Sequence, residues 1–295
     1  MVKKILIIGR GSISSKHILA LKLISKKFEI INISSRKFNN NYAKQNFFDM
    51  IVICSPSSFH YKHMQIVEQN FNNIKVLIEK PLFDKFYKIK KKIKNKYFVG
   101  YNLRFHPVIN YLKKKISNKK IFSINIISHS FLPSWRKKNY TRSVSARKKL
   151  GGGILLELSH ELDYLRWIFK NISILNVFNR KISNLKINTD DILNISGKIR
   201  KKIFFNLNSN FFSRINNRSI KIDGMNFSIN ANLIKNKIEV NSGQRKFIKK
   251  FSKFNILNTY KDQYLDIFSN KNKNVCTLSQ GLKLMNLIQE IKNYD

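Results

Sequence analysis

The chain has 295 residues, enough for one large domain or two of ordinary size. Hydrophobic residues make up 43% of it, which excludes wholesale disorder, and no apolar stretch approaches the roughly 18 residues of a membrane-spanning helix. A formal net charge of +41 would ordinarily indicate a nucleic-acid partner. The lysines are spread along the whole chain among many Asn, Ile and Phe residues, so we interpret them as a solvated surface and expect no nucleic-acid partner.

Strand-like and helix-like segments alternate through the first third of the chain. Apolar runs at 5–8, 28–33, 49–54 and 76–78 predict strands, and segments 15–25, 60–70 and 84–95 predict helices. Parallel strands need crossover connections of this kind, so the alternation indicates a doubly wound parallel sheet. We predict an α/β fold whose N-terminal Rossmann domain covers residues 1–104.

A glycine turn joins the first strand to the first helix. Gly9 permits the tight turn, Gly11 lets the backbone approach a pyrophosphate, and the helix N-terminus supplies N–H donors. The third small position is Ser14 rather than Gly or Ala. In its strand–turn–helix context the motif predicts dinucleotide binding rather than an ordinary turn, with contacts from Gly9, Gly11, Ser12 and Ile13.

The end of the second strand bears on the choice of cofactor. The acidic residue that would bind an NAD ribose about 20 residues after the glycines is missing, and Ser34, Ser35 and Arg36 stand there instead. Two hydroxyls and a guanidinium suit a 2′-phosphate. We therefore favour NADP(H) over NAD(H); the alternative is that Arg36 is one more surface cation.

The third strand ends in residues that suit one wall of a cofactor cleft. Cys54, Ser55 and Pro56 form the start of this loop, and we expect them to contact the cofactor. We also expect a cofactor contact from His60, which could instead merely cap the following helix. Cys54 and the other cysteine, Cys276, lack metal-like spacing and fit a reducing cytoplasm, so we predict a cytoplasmic protein without a metal site.

The fourth strand ends abruptly at Glu79, Lys80 and Pro81. Pro81 cannot donate to a sheet ladder and pushes Lys80 toward an extended conformation. Ligands of open α/β sheets bind outside the carboxyl ends of the strands. Lys80 is therefore predicted to carry a proton or to hold a substrate oxygen.

The pattern changes after about residue 105. Helices are predicted at 107–116 and 154–169, on either side of an alternating strand, 121–129, and an irregular stretch, 131–150. Strand-like segments with turn residues between them follow at 172–178, 190–199, 202–213, 218–223, 226–231 and 237–241. They predict a second α/β domain, residues 105–295, with a mostly antiparallel open sheet. Its last helix, 277–293, could pack back on the first domain.

The predicted helix 154–169 carries the densest group of polar residues. Glu157, His160, Glu161 and Tyr164 share a face through i, i+3 and i+4 spacing. A histidine among carboxylates can be tuned as an acid or a base near neutral pH. The alternative is a salt-bridge cluster on the surface of the helix.

These motifs, in this order, resemble the Gfo/Idh/MocA oxidoreductases over essentially the whole chain. The matching motifs are Gly-x-Gly-Ser-Ile with Lys16-His17, Cys54-Ser-Pro-Ser-x-x-His60, Glu79-Lys80-Pro81, Gly100-Tyr-Asn102-Leu-Arg104-Phe-x-Pro107 and Gly-Gly-Gly-x-Leu-Leu-x-x-x-His160-x-x-Asp163. Glu-Lys-Pro together with His-x-x-Asp is the specific part. Leu132-Pro-x-Trp135 and Tyr140-x-Arg142 resemble the branch associated with surface-polysaccharide and nonulosonic-acid sugar genes.

The resemblance implies a role for each matched residue. Lys80 would hydrogen-bond the reacting oxygen, His160 would be the general acid/base, and Asp163 would bind substrate or orient the site. Near the cofactor it places Glu79 and Asn102; near the substrate it places Arg104, Trp135, Tyr140, Arg142 and Tyr164. The open sheet of the second domain often makes oligomer contacts in this family, so we expect a homo-oligomer.

One position departs from the family pattern. Many members carry an aspartate four residues before the histidine, and here that position is Leu156. The nearest acid is Glu157, which an unbroken helix would place about 100° further round. We keep Glu157 as a catalytic candidate, but the departure puts the proton relay in question more than the hydride transfer.

We conclude from the sequence that the chain is an NAD(P)-dependent oxidoreductase of a sugar or sugar nucleotide, acting in surface-glycan biosynthesis. Three alternatives stay open: a redox-neutral sugar enzyme with tightly held NAD, a catalytically inactive cofactor-binding regulatory protein, and a nucleic-acid-binding protein. The sequence does not identify the sugar, the carbon or the direction of reaction.

Overall fold

A computed structural model describes residues 3–89, 92–135 and 139–294. The chain forms two compact units. The first contains the residues up to Phe105, Lys149–Gly151 and Asn255–Gln289. The second contains His106–Lys148, Gly152–Phe254 and the residues from Glu290 on. The sequence analysis placed residues 105–295 in the second domain, with a last helix that could pack back on the first, and residues 255–289 group with the first unit.

Fourteen strands and eight α-helices make up the described parts of the chain. In order they are β1 (Lys4–Ile8), α1 (Ser12–Ile24), β2 (Glu29–Ile33), α2 (Asn40–Lys44), β3 (Met50–Ile53), α3 (His60–Asn70), β4 (Lys75–Ile78), β5 (Lys96–Val99), α4 (Pro107–Lys115), β6 (Ile121–Phe131), α5 (Ile154–Glu157), α6 (His160–Phe169), β7 (Ile172–Arg180), β8 (Ile192–Ile199), β9 (Ile203–Asn210), β10 (Phe212–Gly224), β11 (Phe227–Asn232), β12 (Lys237–Ser242), β13 (Arg245–Lys250), α7 (Leu257–Phe268), β14 (Cys276–Thr277) and α8 (Leu278–Lys292). Among the described residues no helix is both long and apolar enough to cross a membrane.

The first unit is built on a sheet of six strands among the residues described. Their order is β14-β5-β4-β3-β1-β2, with β1 to β5 parallel and only the short β14 antiparallel. The apolar runs of β1, β3 and β4 are almost entirely buried, as in a sheet covered on both faces. This confirms the predicted doubly wound parallel sheet.

One predicted helix of the first unit is absent from the residues that the structure describes, and two unpredicted helices, α2 and α7, are present. Residues 84–89 and 92–95, expected to be helical, are irregular. Tyr87 stacks on Tyr61 of α3 with ring centroids 4.0 Å apart, which holds this lysine-rich segment against the fold without a helix. Helix α7, which the sequence analysis did not recognise, places Tyr264 and Ile267 in the core beside β1 and β3.

The second unit carries an eight-stranded sheet, counted over the residues that are described. Its order is β13-β12-β11-β10-β6-β9-β8-β7, and every neighbouring pair is antiparallel except β6 and β9. The predicted strand 202–213 is two strands, because the chain turns at Phe211. Strand β13 was not predicted, since its six residues are exposed and mostly basic. The mostly antiparallel sheet is confirmed.

Candidate functional site

The turn between β1 and α1 has the shape that a close backbone approach requires. Gly9 has φ +122°, and a Cβ there would stand 2.5 Å from the Cys54 carbonyl oxygen. Gly11 begins the helix in an extended conformation, and a Cβ there would meet no atom within 4 Å. The space above Gly11 is therefore open, and the N–H groups of the first turn, at Ser12 and Ile13, follow it.

Replacement by alanine is expected to change the free energy of unfolding differently at the two glycines. Gly9→Ala should lower the free energy of unfolding by at least about 2 kcal/mol, because it combines a positive φ with a backbone clash. Gly11→Ala should leave that free energy unchanged or slightly higher, since its conformation suits alanine. Urea unfolding followed by circular dichroism measures both. Equal losses in the two variants would contradict this account of the turn.

Asn32, in β2, holds this turn and was not recognised from the sequence. Its side-chain amide donates to the carbonyl oxygens of Ile7, at 3.0 Å, and Gly9, at 2.6 Å. The only signal was a polar residue inside an otherwise apolar strand. Beyond β2, Ser34 and Ser35 are half-buried and Arg36 is exposed. Arg36 thus follows β2 in the turn at the carboxyl end of that strand, and its contact with a 2′-phosphate stays a prediction.

The loop after β3 is tied together by two buried histidines. Nε2 of His60 lies 2.8 Å from the Ser55 carbonyl oxygen, and its Nδ1 lies 3.0 Å from that of Pro81. His60 makes no cap for α3. Nδ1 of His63 lies 3.0 Å from the Ser55 hydroxyl. Both ring nitrogens of His60 therefore already face protein oxygens, which suits a structural bridge better than a polar contact to a cofactor.

The other residues of this loop are Cys54 and Pro56. Burial, and then the charge of Glu79, raise the pKa of the Cys54 thiol well above its usual value. A thiol held in its protonated form is a poor nucleophile. Cys54 therefore has the small, inert character that the sequence suggested, and its carbonyl oxygen is what packs against Gly9.

Lys80 lies two residues after the end of β4 and is half-buried, ahead of a cis peptide bond to Pro81. The preceding residue, Glu79, is 6% exposed, and its carboxylate lies 2.9 Å from Nε2 of His17 on α1. Glu79 is thus engaged below the sheet edge rather than on a cofactor. A chemical role for Lys80 at the carboxyl edge stays a prediction.

Asn102 and Arg104, which follow β5, form hydrogen bonds to other elements of the first unit. The amide of Asn102 donates to the Thr259 hydroxyl on α7 at 2.7 Å, and the residue is 5% exposed. Arg104, 3% exposed, donates to the side chain of Gln280 on α8 at 2.7 Å. These contacts connect the end of β5 to helices distant in sequence. They give both residues a structural role that their predicted cofactor and substrate contacts did not include.

In the second unit the predicted helix 154–169 is two helices. Helix α5 ends at Glu157 and α6 starts at His160, with Leu158 at ψ +28° and the Ser159 hydroxyl donating to the Leu156 carbonyl oxygen. The break invalidates the argument from an unbroken helical face. The Glu157 carboxylate accepts a hydrogen bond from the Ser145 hydroxyl at 2.9 Å.

The residues around this break differ in exposure. His160 is half-buried at the start of α6, and Asp163, one turn later, is 3% exposed. Glu161 is fully buried and accepts from Arg218 on β10 at 2.8 Å, so it is no part of a surface salt-bridge cluster. Burial raises the pKa of the Tyr164 hydroxyl, and this side chain is 1% exposed, which suits the core better than a substrate contact.

The remaining predicted substrate residues lie in the irregular stretch after β6. Trp135 is 37% exposed and packs edge-on against Phe211. Tyr140 accepts a hydrogen bond from the Lys186 backbone N–H at 3.1 Å, and Arg142 is exposed. Trp135 and Arg142 are therefore open to solvent on the second unit. Within the described parts of the chain no group of three His, Cys, Asp or Glu side chains could hold a metal ion.

Comparison with known proteins shows the fold. No known protein family and no curated protein matches the sequence. The dehydrogenase MviM from Clostridium difficile is 20% identical, with 99% of each chain covered and a TM-score of 0.75. The super-repressor mutant of Gal80p from Saccharomyces cerevisiae is 16% identical, with 99% of this chain and 95% of that chain covered and a TM-score of 0.82.

A third solved structure was determined with ligands. The WlbA dehydrogenase from Bordetella pertussis, in complex with NADH and UDP-GlcNAcA, is 17% identical, with 99% of this chain and 96% of that chain covered and a TM-score of 0.78. Dehydrogenases and a repressor thus share this architecture. At these identities the likeness confirms the two-domain α/β fold that the sequence predicted, and fold alone does not determine function.

Proposed function

We propose that the chain is an NAD(P)-dependent oxidoreductase acting on a sugar or a sugar nucleotide. The observation that carries the proposal is the pairing of a strained glycine turn with a lysine at one sheet edge. Gly9 and Gly11 follow β1, and Lys80 follows β4, two strands away in the same parallel sheet. Ligands of such sheets bind at this carboxyl edge. The dehydrogenases that share the fold support the same reaction class.

The first unit fits a dinucleotide. The open space above Gly11 would admit a pyrophosphate, and the first turn of α1 presents backbone N–H groups without an acidic side chain. A Cβ at Gly11 would take up that space, so Gly11→Ala should also weaken NAD(P)H binding about tenfold. When bound, the cofactor would supply or accept a hydride.

The chain's own residues would handle the oxygen and its proton. Lys80 would donate a hydrogen bond to the reacting oxygen and stabilise the charge that develops on it. His160 would exchange the proton as general acid/base, and Asp163 would orient the site. The hydrogen bond from the Ser145 hydroxyl would fix the position of the Glu157 carboxylate, which is the acid next to Leu156 in the sequence.

The direct test is turnover. NADH or NADPH would be mixed with keto-sugars, and NAD⁺ or NADP⁺ with nucleotide-linked and acidic sugars, while absorbance at the nicotinamide band is followed. We expect stoichiometric consumption of cofactor with at least one sugar class. Product formed without net consumption would instead favour the redox-neutral sugar enzyme. The context we propose is surface-glycan biosynthesis in the cytoplasm.

Cofactor choice depends on Arg36, exposed at the end of β2. Loss of one charged contact to phosphate corresponds to about tenfold in affinity, so Arg36→Ser should weaken NADPH binding by that factor and leave NADH binding nearly unchanged. Lys37→Ser, at the next exposed cation, is the matched control. Fluorescence titration measures both. Tighter binding of NADH than of NADPH by the unaltered protein would contradict our preference for NADP(H).

A second candidate is a cofactor-binding regulatory protein without turnover. The observation that favours it is Leu156 at the position where many family members carry an aspartate, with Glu157 held by Ser145. The repressor Gal80p shares the fold. Tight NAD(P)H binding with no turnover across all sugar classes would favour this candidate. Steeply salt-dependent DNA binding would favour a nucleic-acid partner instead.

We also propose that the partner of the second unit is another copy of the chain. Its sheet carries a depression of about 560 Å³ lined by five asparagines, two serines, three isoleucines, Leu207 and Lys221, which is the one cation among the lining residues. On a chain with a net charge of +41, a nearly neutral face is where two copies can meet with least repulsion. Sedimentation of a monomer at every concentration would contradict this.

A further inference from the structure

A buried hydrogen-bonded chain lies directly beneath Lys80. Its members are Glu79 at the end of β4, His17 on α1 and Tyr264 on α7. Nε2 of His17 is 2.9 Å from the Glu79 carboxylate, and Nδ1 is 2.7 Å from the Tyr264 hydroxyl oxygen. His17 and Tyr264 are fully buried, and Glu79 is 6% exposed. Polar groups buried this deeply are costly unless each is satisfied, and here the three satisfy one another.

The direction of the hydrogen bonds follows from the groups themselves. Burial, assisted by the charge of Glu79, raises the pKa of the Tyr264 hydroxyl, which therefore keeps its proton. A carboxylate oxygen accepts, so the Nε2–H group of His17 donates a hydrogen bond to Glu79. Nδ1 then accepts from the Tyr264 hydroxyl. The edge-on contacts of His17 with the rings of Tyr260 and Tyr264 fix the plane of the imidazole.

The strand beside β4 is shaped to admit the carboxylate. A Cβ on Gly100, just after β5, would stand 2.5 Å from the Glu79 Oε1 atom. The backbone N–H of Gly100 donates to the Ile78 carbonyl oxygen at 2.7 Å, and that of Glu79 donates to Ile53 at 2.9 Å. The peptide unit between Ile78 and Glu79, one residue before Lys80, is thus held by backbone bonds on both sides, and the Glu79 side chain is held by His17.

The backbone that follows Lys80 is held in place as well. The His60 ring lies 3.0 Å from the Pro81 carbonyl oxygen and 3.2 Å from that of Leu82. Its other nitrogen contacts Ser55, after β3. Lys80 therefore stands between two residues that buried histidines anchor from different helices. A residue held on both sides has its side-chain origin fixed, which is what a group that must meet a reacting oxygen requires.

We propose that Glu79, His17 and Tyr264 are positioning residues for Lys80, and that the segment bearing Lys80 is clamped between His17 and His60. The inference rests on the proposed function, in which Lys80 acts on the reacting oxygen. It departs from a cofactor contact for Glu79, since its carboxylate is turned into the fold. Loss of this hydrogen-bonded chain lowers kcat and leaves the affinity for the cofactor unchanged.

The test replaces all three side chains of this hydrogen-bonded chain by apolar groups of similar shape. The triple variant His17→Leu, Glu79→Met, Tyr264→Phe leaves no member of the chain unpaired, and such replacements are often neutral for stability. We expect it to unfold at the same temperature as the unaltered protein and to keep its NAD(P)H affinity. Its kcat should fall roughly 10- to 100-fold, the effect of a misplacement of about 1 Å. Tyr260→Phe, at the ring beside His17, is the matched control with unchanged kcat.

A conservative variant separates positioning from packing. The amide of His17→Gln can donate to Glu79 and accept from Tyr264, so we expect it to restore most of kcat. An unchanged kcat in a folded triple variant would overturn the proposal, and so would a triple variant and a His17→Gln variant with equal losses. If the triple variant fails to fold, Glu79→Met alone decides the matter, because it removes the acceptor of Nε2 of His17, keeps a side chain of similar length and must still show at least a severalfold loss of kcat.

A second measurement does not depend on turnover. Reductive ¹³C-methylation labels the lysines, and the Lys80 signal is identified by its absence from Lys80→Met. The triple variant should shift or broaden this signal and leave that of Lys85 in place. An unmoved Lys80 signal would overturn the proposal even in a protein that turns over no sugar. Inactivity of the unaltered protein together with a moved signal would count against the proposed function alone.

Discussion

Lys80→Met is expected to lower turnover about 10³-fold, the effect of removing a donor that stabilises charge on a reacting oxygen. Methionine keeps the length of the lysine stem and removes only the charge and its N–H donors. Affinity for NAD(P)H should stay within about threefold of the unaltered value, because the glycine turn and the first turn of α1 are untouched. Steady-state kinetics and fluorescence titration measure the two effects separately.

The basic composition of the chain makes the choice of control important. Lys85→Met removes an exposed lysine only five positions later, whose ammonium lies over the Tyr87 ring at 5.3 Å. It changes the net charge by the same amount and should leave kcat unchanged. Equal losses of kcat in the two variants would mean that Lys80 acts through the overall electrostatic field of the protein. Near-normal turnover in Lys80→Met would remove it from the catalytic assignment.

The parallel sheet could be predicted because its signal is local. The runs in β1, β3 and β4 are continuous and apolar, as strands buried on both faces must be. The helix predicted at 84–95 had no comparable signal, since its lysines fit any exposed segment. What decided its structure was a ring contact from Tyr87 to Tyr61 on another element, which a local pattern does not contain.

The polar residues of the site were found more readily than their roles. The loop after β3 predicted a cofactor contact for His60, and the family resemblance predicted that Asn102 and Arg104 lie near the cofactor or the substrate; all three residues follow strands of the parallel sheet. Their partners, among them Thr259 on α7 and Gln280 on α8, are some 150 residues or more away from Asn102 and Arg104 along the chain. A sequence motif identifies a polar side chain and its approximate position in the fold. Only the tertiary contact shows whether that side chain faces a ligand or the protein.

The same distinction explains the break between α5 and α6. Leu155, Leu158 and Leu162 follow a helical period, so the pattern predicts one continuous helix. The N-terminus of α5 is instead fixed by Asp190, whose carboxylate accepts from the Leu155 backbone N–H at 3.0 Å. That contact comes from the residues just before β8. The start of α5 therefore depends on a carboxylate that no helical argument includes.

Acid should destabilise the second unit through His106. This side chain is 2% exposed and caps α4, with Nδ1 accepting from the Val108 backbone N–H at 3.2 Å. Burial, and then the charge of Arg218, lower its pKa to about 4 from an ordinary value of 6.5. Because the folded-state pKa is lowered, the stabilisation is complete above pH 6.5 and is lost as the pH falls from 6.5 to 4. The difference of about 2.5 units corresponds to roughly 3 kcal/mol.

His106→Asn separates this contribution from those of the carboxylates. Asparagine is a strong N-cap residue, so the variant keeps an acceptor for the first turn of α4 and loses only the titration. Trp135 and Trp167 both belong to the second unit, and they are the two tryptophans of the chain, so fluorescence reports its unfolding. Between pH 7 and 4 the variant should lose about 2 to 3 kcal/mol less than the unaltered protein in urea unfolding. Parallel pH curves would show that the pKa of His106 is the same in the folded and unfolded states, which would contradict this prediction.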